Sequence, residues 1–161
     1  MMDPVGLETP LPSVPTFEEM GLDPRVLQAV QEVGYSSPLP VQAEAFRPAR
    51  EGRHVVVQSR TGSGKTAAFV LPLLHRIDFS SRRPQVLVLA PTRELALQDH
   101  EEFQRLGRYC GLLSTCIYGG TRYQEQLDAL RTGVQVVVGT PGRVLDHQRR
   151  GTFRTSEIRT L

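Results

Sequence analysis

The fold of this chain is decided by the stretch Ser59 to Thr66, SRTGSGKT, which lies between a predicted strand and a predicted helix. The strand is the continuous β-branched run His54 to Gln58 (HVVVQ), a pattern expected of a strand covered on both faces. The helix extends from about Lys65 to Ile77. In such a unit, the backbone N–H groups of the loop and the N-terminus of the helix favour a bound phosphate. Gly62 and Gly64 let the chain curl close to that phosphate.

The single lysine of the chain supports phosphate binding by this loop. Of the 19 basic residues all but one are arginine, and Lys65 occupies the position at which a phosphate-binding loop needs a lysine. Lys65 and Thr66 are the predicted catalytic residues, because the lysine bridges phosphates and the threonine hydroxyl binds a magnesium ion. Ser59 stands where the strict pattern has glycine, so the match is near rather than complete. A glycine-rich turn before a helix is the alternative, and phosphate binding alone leaves a kinase, a GTPase and an ATPase open.

Strands alternate with helices downstream of the loop, which predicts an α/β fold with a parallel sheet. Upstream, one helix begins after Asp23 and ends before Gly34, and a second extends from Pro40 to Ala49. Residues 1–15 are rich in proline and are expected to be disordered. Downstream, the predicted strands are Gln85–Ala90, Leu113–Tyr118 and Val134–Val138, the predicted helices are Arg93–Arg108, Tyr123–Arg131 and Arg143–Arg150, and Ile158–Leu161 begin another strand.

The composition excludes several classes of protein. Hydrophobic residues make up 39% of the 161 positions, and together with glycine they fall in the globular range, while the longest apolar run is far too short for a membrane span. Cys110 and Cys116, without partnering histidine pairs, form neither a disulfide framework nor a zinc site. These features predict a soluble, cytoplasmic protein. Residues 52–161 carry sixteen basic against nine acidic residues, so a basic surface that meets phosphates would lie there.

Four further segments resemble motifs of the DEAD-box family of ATP-dependent RNA helicases. Gly34 to Gln42 (GYSSPLPVQ) is similar to the Q motif of that family, with an isolated aromatic residue, Phe17, upstream. Ala90 to Leu95 (APTREL) matches motif Ia, Gly119-Gly120 resembles the GG motif, and Thr140 to Arg143 (TPGR) matches motif Ib. The resemblance implies a P-loop NTPase (RecA-like) fold, a three-layer parallel sheet with helices on both faces.

The resemblance also implies that the bound nucleotide is ATP. In the family the glutamine of the Q motif, here Gln42, reads the adenine edge, and a primary amide matches the N6 and N7 atoms of adenine. The upstream aromatic residue, here Phe17, stacks on the adenine, and a core contact that anchors the first helix is its alternative role. Leu39 stands where the family has threonine, so a hydroxyl that would brace the phosphate loop is missing. The residues expected to bind ATP and Mg²⁺ are Phe17, Tyr35, Gln42, Ser59, Arg60, Thr61, Gly62, Ser63, Gly64, Lys65 and Thr66, with Thr66 as the metal ligand.

The three motifs that follow predicted strands are expected to bind RNA. The carboxyl ends of parallel strands share one edge of a sheet, and ligands bind at that edge. Hydroxyl, N–H and guanidinium donors there would contact sugar-phosphate oxygens, so that binding is independent of sequence and sensitive to salt. The expected RNA-binding residues are Pro91, Thr92, Arg93, Gly119, Gly120, Thr140, Pro141, Gly142 and Arg143.

The resemblance makes residues 16–161 the N-terminal part of a helicase ATP-binding domain, incomplete at its C-terminus. The Asp-Glu-Ala-Asp motif of the family would follow Leu161, and a second RecA-like domain would bring arginines to the γ-phosphate. We therefore expect the parent protein to be an ATP-dependent RNA helicase, and these 161 residues alone to bind nucleotide without useful hydrolysis. Two alternatives stay open: a non-enzymatic RNA-binding fragment, and a small-molecule P-loop kinase that ignores RNA.

Overall fold

The computed structural model describes residues 14–60, 62 and 64–161 of the chain. Within these residues the helices are α1 (Pro24–Glu32), α2 (Pro40–Arg50), α3 (Lys65–Arg76), α4 (Arg93–Leu106), α5 (Tyr123–Thr132) and α6 (Pro141–Arg149). The strands are β1 (Val86–Leu89), β2 (Ser114–Ile117) and β3 (Val136–Gly139). The disorder expected for residues 1–15 falls almost entirely outside the described residues. Within the described part of the chain, every helix is too short or too polar to cross a membrane.

The three strands form one parallel sheet in the order β1-β3-β2, so the predicted parallel α/β arrangement is confirmed. Val86 of β1 and Ser114 of β2 both lie opposite Val136 of β3, which aligns the carboxyl ends of all three strands. Each strand is connected to the next through a helix, since α4 lies between β1 and β2 and α5 lies between β2 and β3. This connection is the one that parallel strands require.

Both faces of the sheet are covered, because successive residues of β3 point to opposite sides. Val136 and Val138 belong to the larger core cluster, which also contains side chains of α1, α3 and α4. Val137 belongs to a second cluster on the other face, together with Val144 of α6 and Phe153. The result is the predicted three-layer arrangement, with helices on both sides of a buried sheet.

The prediction that His54–Gln58 form a buried strand is wrong for this structure. The segment is irregular, and the side chain of Val56 is 98% exposed while those of Val55 and Val57 are also exposed. A cavity of about 760 Å³ separates residues 53–55 from β1. A run of valines favours a strand through packing against neighbouring strands, and in the described residues β1, β2 and β3 pair with one another rather than with this segment.

The other elements agree with the sequence to within a few residues. Asp23 caps α1 as predicted, because its side chain accepts a hydrogen bond of 2.9 Å from the backbone N–H of Arg25. Thr160, in the segment expected to begin another strand, forms a single parallel bridge with Val86 at the edge of β1. The sequence patterns therefore predicted these helices and the three paired strands correctly.

Candidate nucleotide and nucleic-acid sites

The loop before α3 is tied to the Q-motif segment through one buried amide. Gln42 is 4% exposed, and its Nε2 donates a hydrogen bond of 3.3 Å to the carbonyl oxygen of Gly64. Its Oε1 accepts a hydrogen bond of 2.9 Å from the backbone N–H of Leu39. The loop and the Q motif therefore contact each other although Leu39 replaces the usual threonine. Of the predicted loop residues, Thr61 and Ser63 lie outside the described residues.

Gly64 has a conformation that disfavours a side chain, and a side chain there would displace its neighbours. Its φ is +78°, in the left-handed region, and a Cβ there would lie 2.6 Å from both Gln42 Nε2 and Leu39 Cδ1. Gly62 has a similar φ of +74°, but a Cβ at that position would meet no described atom within 4 Å. The two glycines thus share the backbone requirement and differ in the space around them.

We predict that Gly64→Ala is more destabilising than Gly62→Ala. Both alanines carry the left-handed backbone penalty of about 1–2 kcal/mol. Only Gly64→Ala also displaces the Gln42 hydrogen bond, which adds about 1 kcal/mol. Urea unfolding followed by circular dichroism measures the difference, with Gly62→Ala as the matched control. Equal losses of stability in the two variants would contradict the contact between Gly64 and Gln42.

The ammonium group of Lys65 lies against the backbone of the loop. Its Nζ donates a hydrogen bond of 2.6 Å to the carbonyl oxygen of Ser59 and a second one to the carbonyl oxygen of Arg60. These bonds hold the only lysine charge of the chain at the loop rather than in solvent. Phosphate binding by this ammonium group stays a prediction.

The hydroxyl of Thr66 has a partner that sequence reasoning missed. Thr66 Oγ1 donates to Asp99 Oδ1 of α4 at 3.3 Å. Burial raises the pKa of the Asp99 carboxyl, and the hydrogen bond from Thr66 opposes that rise. Because the hydroxyl proton is directed to Asp99, the oxygen lone pairs of Thr66 are left for a cation, so the donor set fits a magnesium ligand. Asp99 lies 33 residues from Thr66, and no local pattern links them.

The structure holds two residues that were expected to bind ATP, Phe17 and Tyr35, in contacts with other parts of the protein. Phe17 is 3% exposed and lies in the larger core cluster with Val26 and Val30 of α1, in agreement with its alternative role as a core contact that anchors the first helix. The hydroxyl of Tyr35 donates a hydrogen bond of 2.7 Å to Glu102 Oε1, and Arg105 donates to the other carboxylate oxygen. The roles of Phe17 and Tyr35 in nucleotide binding stay predictions.

The contact between Tyr35 and Glu102 has a consequence at alkaline pH. Burial and the hydrogen bond to Glu102 raise the pKa of Tyr35 to about 12, above the ordinary value of 10.0. Because the folded-state pKa is the higher one, this stabilisation is complete below about pH 10 and is lost as the pH rises towards 12. We predict that Tyr35→Phe flattens the decline of the thermal midpoint over this interval, as measured by calorimetry. A decline as steep as in the wild type would show that another group is responsible.

The predicted RNA-binding residues meet at the carboxyl edge of the sheet. Residues 91–93 follow β1, residues 119–120 follow β2, and residues 140–143 follow β3, and the parallel register brings these three segments to one side. Pro91, Thr92, Arg93, Gly119, Gly120, Pro141 and Gly142 are exposed, and Thr140 and Arg143 are half-buried. Helices α4 and α6 begin at the same edge, after Thr92 and Thr140. Their N-termini favour anions, so the edge suits phosphate groups.

Aromatic rings hold the arginines of this edge, and sequence reasoning did not anticipate them. The guanidinium carbon of Arg93 lies 4.8 Å from the centre of the Tyr118 ring. That of Arg143 lies 5.6 Å from the centre of the Tyr123 ring, and Arg150, at the opposite end of α6, approaches the same ring to 4.8 Å. Such contacts restrict the arginine side chains without neutralising their charge. A tyrosine directly after a strand and another at the start of a helix were the only signals available from the sequence.

The architecture is that of a P-loop NTPase domain, and comparison with known proteins identifies the family. The family model of the DEAD/DEAH box helicase matches residues 39–161. The chain belongs to this family, as its motifs predicted. It is 51% identical over 147 residues to the ATP-dependent RNA helicase DeaD of Buchnera aphidicola from Acyrthosiphon pisum, and 49% identical over 147 residues to DeaD of Escherichia coli K12.

These relatives are much longer than the chain. The matches cover 91% of this chain but 24% and 23% of the two relatives, so the chain spans about a quarter of their length. The crystal structure of a DEAD box protein from the hyperthermophile Methanococcus jannaschii is similar to 89% of this chain, with a TM-score of 0.83 and 36% identity, and the match covers 39% of that protein. The crystal structure of a hypothetical ATP-dependent RNA helicase from Sulfolobus tokodaii is similar to 83% of this chain, with a TM-score of 0.75 and 35% identity, and the match covers 38% of that protein. The similarity confirms the predicted RecA-like fold.

Proposed function

We propose that this chain is the part of an ATP-dependent RNA helicase that binds ATP at the loop before α3 and RNA at the carboxyl edge of the sheet. The observation that carries the proposal is the meeting of three segments at that edge, each directly after a parallel strand. Exposed glycines and prolines leave backbone groups accessible there, and arginines add positive charge. These groups suit the sugar-phosphate backbone rather than the bases, so the proposed binding is independent of sequence.

The proposed nucleotide is ATP with Mg²⁺. Lys65 would contact the phosphates and Thr66 would hold the metal ion, which neutralises charge on the transferring phosphoryl group when bound. Gln42 would read adenine from the position in which it also contacts Gly64, so one side chain would join base recognition to the phosphate loop. The similarity to relatives named ATP-dependent RNA helicase DeaD supports both ligands.

Hydrolysis and unwinding are proposed for the longer protein rather than for these residues alone. In the proposal, residues 16–161 are one part of the first RecA-like domain, and a second RecA-like domain completes the γ-phosphate site and the RNA surface. The protein would act in the cytoplasm. The share of the relatives that the chain spans, about a quarter, supports this division of roles.

Binding measurements test the proposal and separate it from its alternatives. Fluorescence anisotropy with labelled oligouridylate and oligoadenylate, repeated at several salt concentrations, should give equal association constants whose logarithm falls linearly with the logarithm of the salt concentration. Calorimetry should give tighter binding of Mg-ATP than of Mg-GTP. RNA binding without nucleotide binding would favour the non-enzymatic fragment, and equal ATP and GTP affinities without RNA binding would favour the kinase. A folded chain that binds neither RNA nor nucleotide would refute the proposal.

A further inference from the structure

A buried glutamine lies directly beneath the proposed RNA edge. Gln126 of α5 is 6% exposed, and burying its amide is unfavourable unless hydrogen bonds replace those to water. Its Nε2 donates to the carbonyl oxygen of Tyr118 at 3.0 Å and to Thr121 Oγ1 at 2.6 Å. Its Oε1 accepts a hydrogen bond of 3.2 Å from Arg143 Nη1. One side chain therefore contacts the segment after β2 and the segment after β3.

On the first side, Gln126 holds the base of the loop that contains Gly119 and Gly120. Tyr118 and Thr121 flank the two glycines, and the Thr121 hydroxyl donates to the Tyr118 carbonyl oxygen at 3.3 Å. A Cβ at either glycine would meet no described atom within 4 Å, so the tip of the loop stands open. The conformation of this open tip therefore depends on the contacts at its base.

On the second side, Gln126 restrains the guanidinium group of Arg143. That group has five N–H donors, and the bond to Gln126 uses one of them. The Tyr123 ring contacts the same guanidinium group. Ring and amide together fix the direction of a long side chain that would otherwise sample many rotamers.

We infer that Gln126 is a positioning residue that couples the Gly119-Gly120 loop to Arg143, so that both present their donors to one RNA strand. This inference rests on the proposed RNA binding, although Gln126 itself is too buried to contact RNA. An amide is required because it donates to the loop and accepts from Arg143 at the same time. A carboxylate can only accept, so glutamate at this position would keep the arginine contact and lose the donation to Tyr118.

Hydrogen–deuterium exchange of the chain tests the coupling without RNA. Gln126→Leu should speed exchange both in residues 118–122 and in residues 140–143, whereas Gln126→Glu should speed it only in residues 118–122. Thr121→Val removes the Thr121 hydroxyl contacts with Gln126 and Tyr118 but keeps the donation from Gln126 to the Tyr118 carbonyl and the Arg143 contact. It should therefore speed exchange only in residues 118–122, and by less than Gln126→Glu. Gln124→Leu is the matched control, because Gln124 lies on the same helix and is exposed, with a hydrogen bond of 2.7 Å to Asp128.

Anisotropy with labelled oligouridylate tests the consequence for binding. Gln126→Leu should weaken RNA binding about tenfold, since contacts of a charged donor are lost, and Gln124→Leu should leave it unchanged.

Exchange rates in Gln126→Leu that match the control, or that rise evenly over all of α5 and the sheet, would overturn the inference. If Gln126→Leu does not fold, Gln126→Glu and Thr121→Val test the inference instead. Unchanged exchange of residues 118–122 in both of these variants would overturn the inference. If exchange changes as expected in the variants but the wild-type chain binds no RNA, the proposed function is refuted and the coupling stands.

Discussion

Phe103→Ala is expected to lower the free energy of unfolding by about 3–5 kcal/mol, the range for truncating a fully buried phenylalanine. Phe103 of α4 is 0% exposed and is the largest of the fully buried side chains in the described residues. Its ring packs against Phe69 of α3, with 6.2 Å between the ring centres. Since domains are stable by only about 5–15 kcal/mol, the loss would remove much of the stability of the fold. Chemical unfolding followed by circular dichroism measures it.

Phe69→Ala serves as the matched control for that prediction. Phe69 is half-buried and borders the cavity of about 760 Å³ next to residues 53–55, so its truncation removes fewer contacts. We expect a smaller loss for Phe69→Ala than for Phe103→Ala. If the two losses were equal, or if Phe103→Ala were neutral, the placement of α4 against the sheet would be wrong.

Lys65→Ala is expected to weaken the binding of Mg-ATP by roughly 10- to 100-fold, because a hydrogen bond to a charged group contributes about 1.5–3 kcal/mol. The ammonium is the only lysine charge of the chain and is held at the loop by the carbonyl oxygens of Ser59 and Arg60. Lys65→Arg keeps the charge, but its planar group does not reproduce a compact ammonium, so we expect intermediate affinity. Isothermal titration calorimetry measures the Mg-ATP affinity of the wild type, Lys65→Ala and Lys65→Arg.

A control variant and a labelling experiment accompany the affinity measurement on Lys65. Arg83→Ala removes the same unit charge at an exposed pair with Glu157, and it should leave nucleotide binding unchanged. Because Lys65 is the sole lysine, an amine-reactive label followed by peptide mapping reports on this side chain alone, apart from the N-terminus. Nucleotide should protect Lys65 from the label. Wild-type affinity in Lys65→Ala would contradict the phosphate-binding role of the loop.

The elements that followed local rules were predictable from the sequence. Thr92 precedes a helical pattern, and the structure shows its side chain accepting the Leu95 N–H at 3.3 Å, as an N-cap does. Helix α4 ends at Leu106, with Gly107 as its C-cap, two residues before the predicted end at Arg108, because the helix boundary depends on capping that periodicity does not resolve. The prediction of a strand at His54–Gln58 was wrong for a different reason. A strand forms only when neighbouring strands pair with it, and the residues of the segment do not determine whether such neighbours are present.

The sequence by itself determined which residue types stand after each strand, where every described helix except α6 begins, and the family to which the chain belongs. Helix α6 begins at Pro141 rather than at the predicted Arg143. Only the tertiary structure decided the partners of the candidate site: Thr66 with Asp99, Tyr35 with Glu102, and Gln126 with Arg143. These pairs are 33, 67 and 17 residues apart. Caps and periodicity depend on neighbours within one or two turns of the chain. Contacts between distant segments depend on how the parallel sheet places those segments in space, and no local sequence pattern predicts that placement.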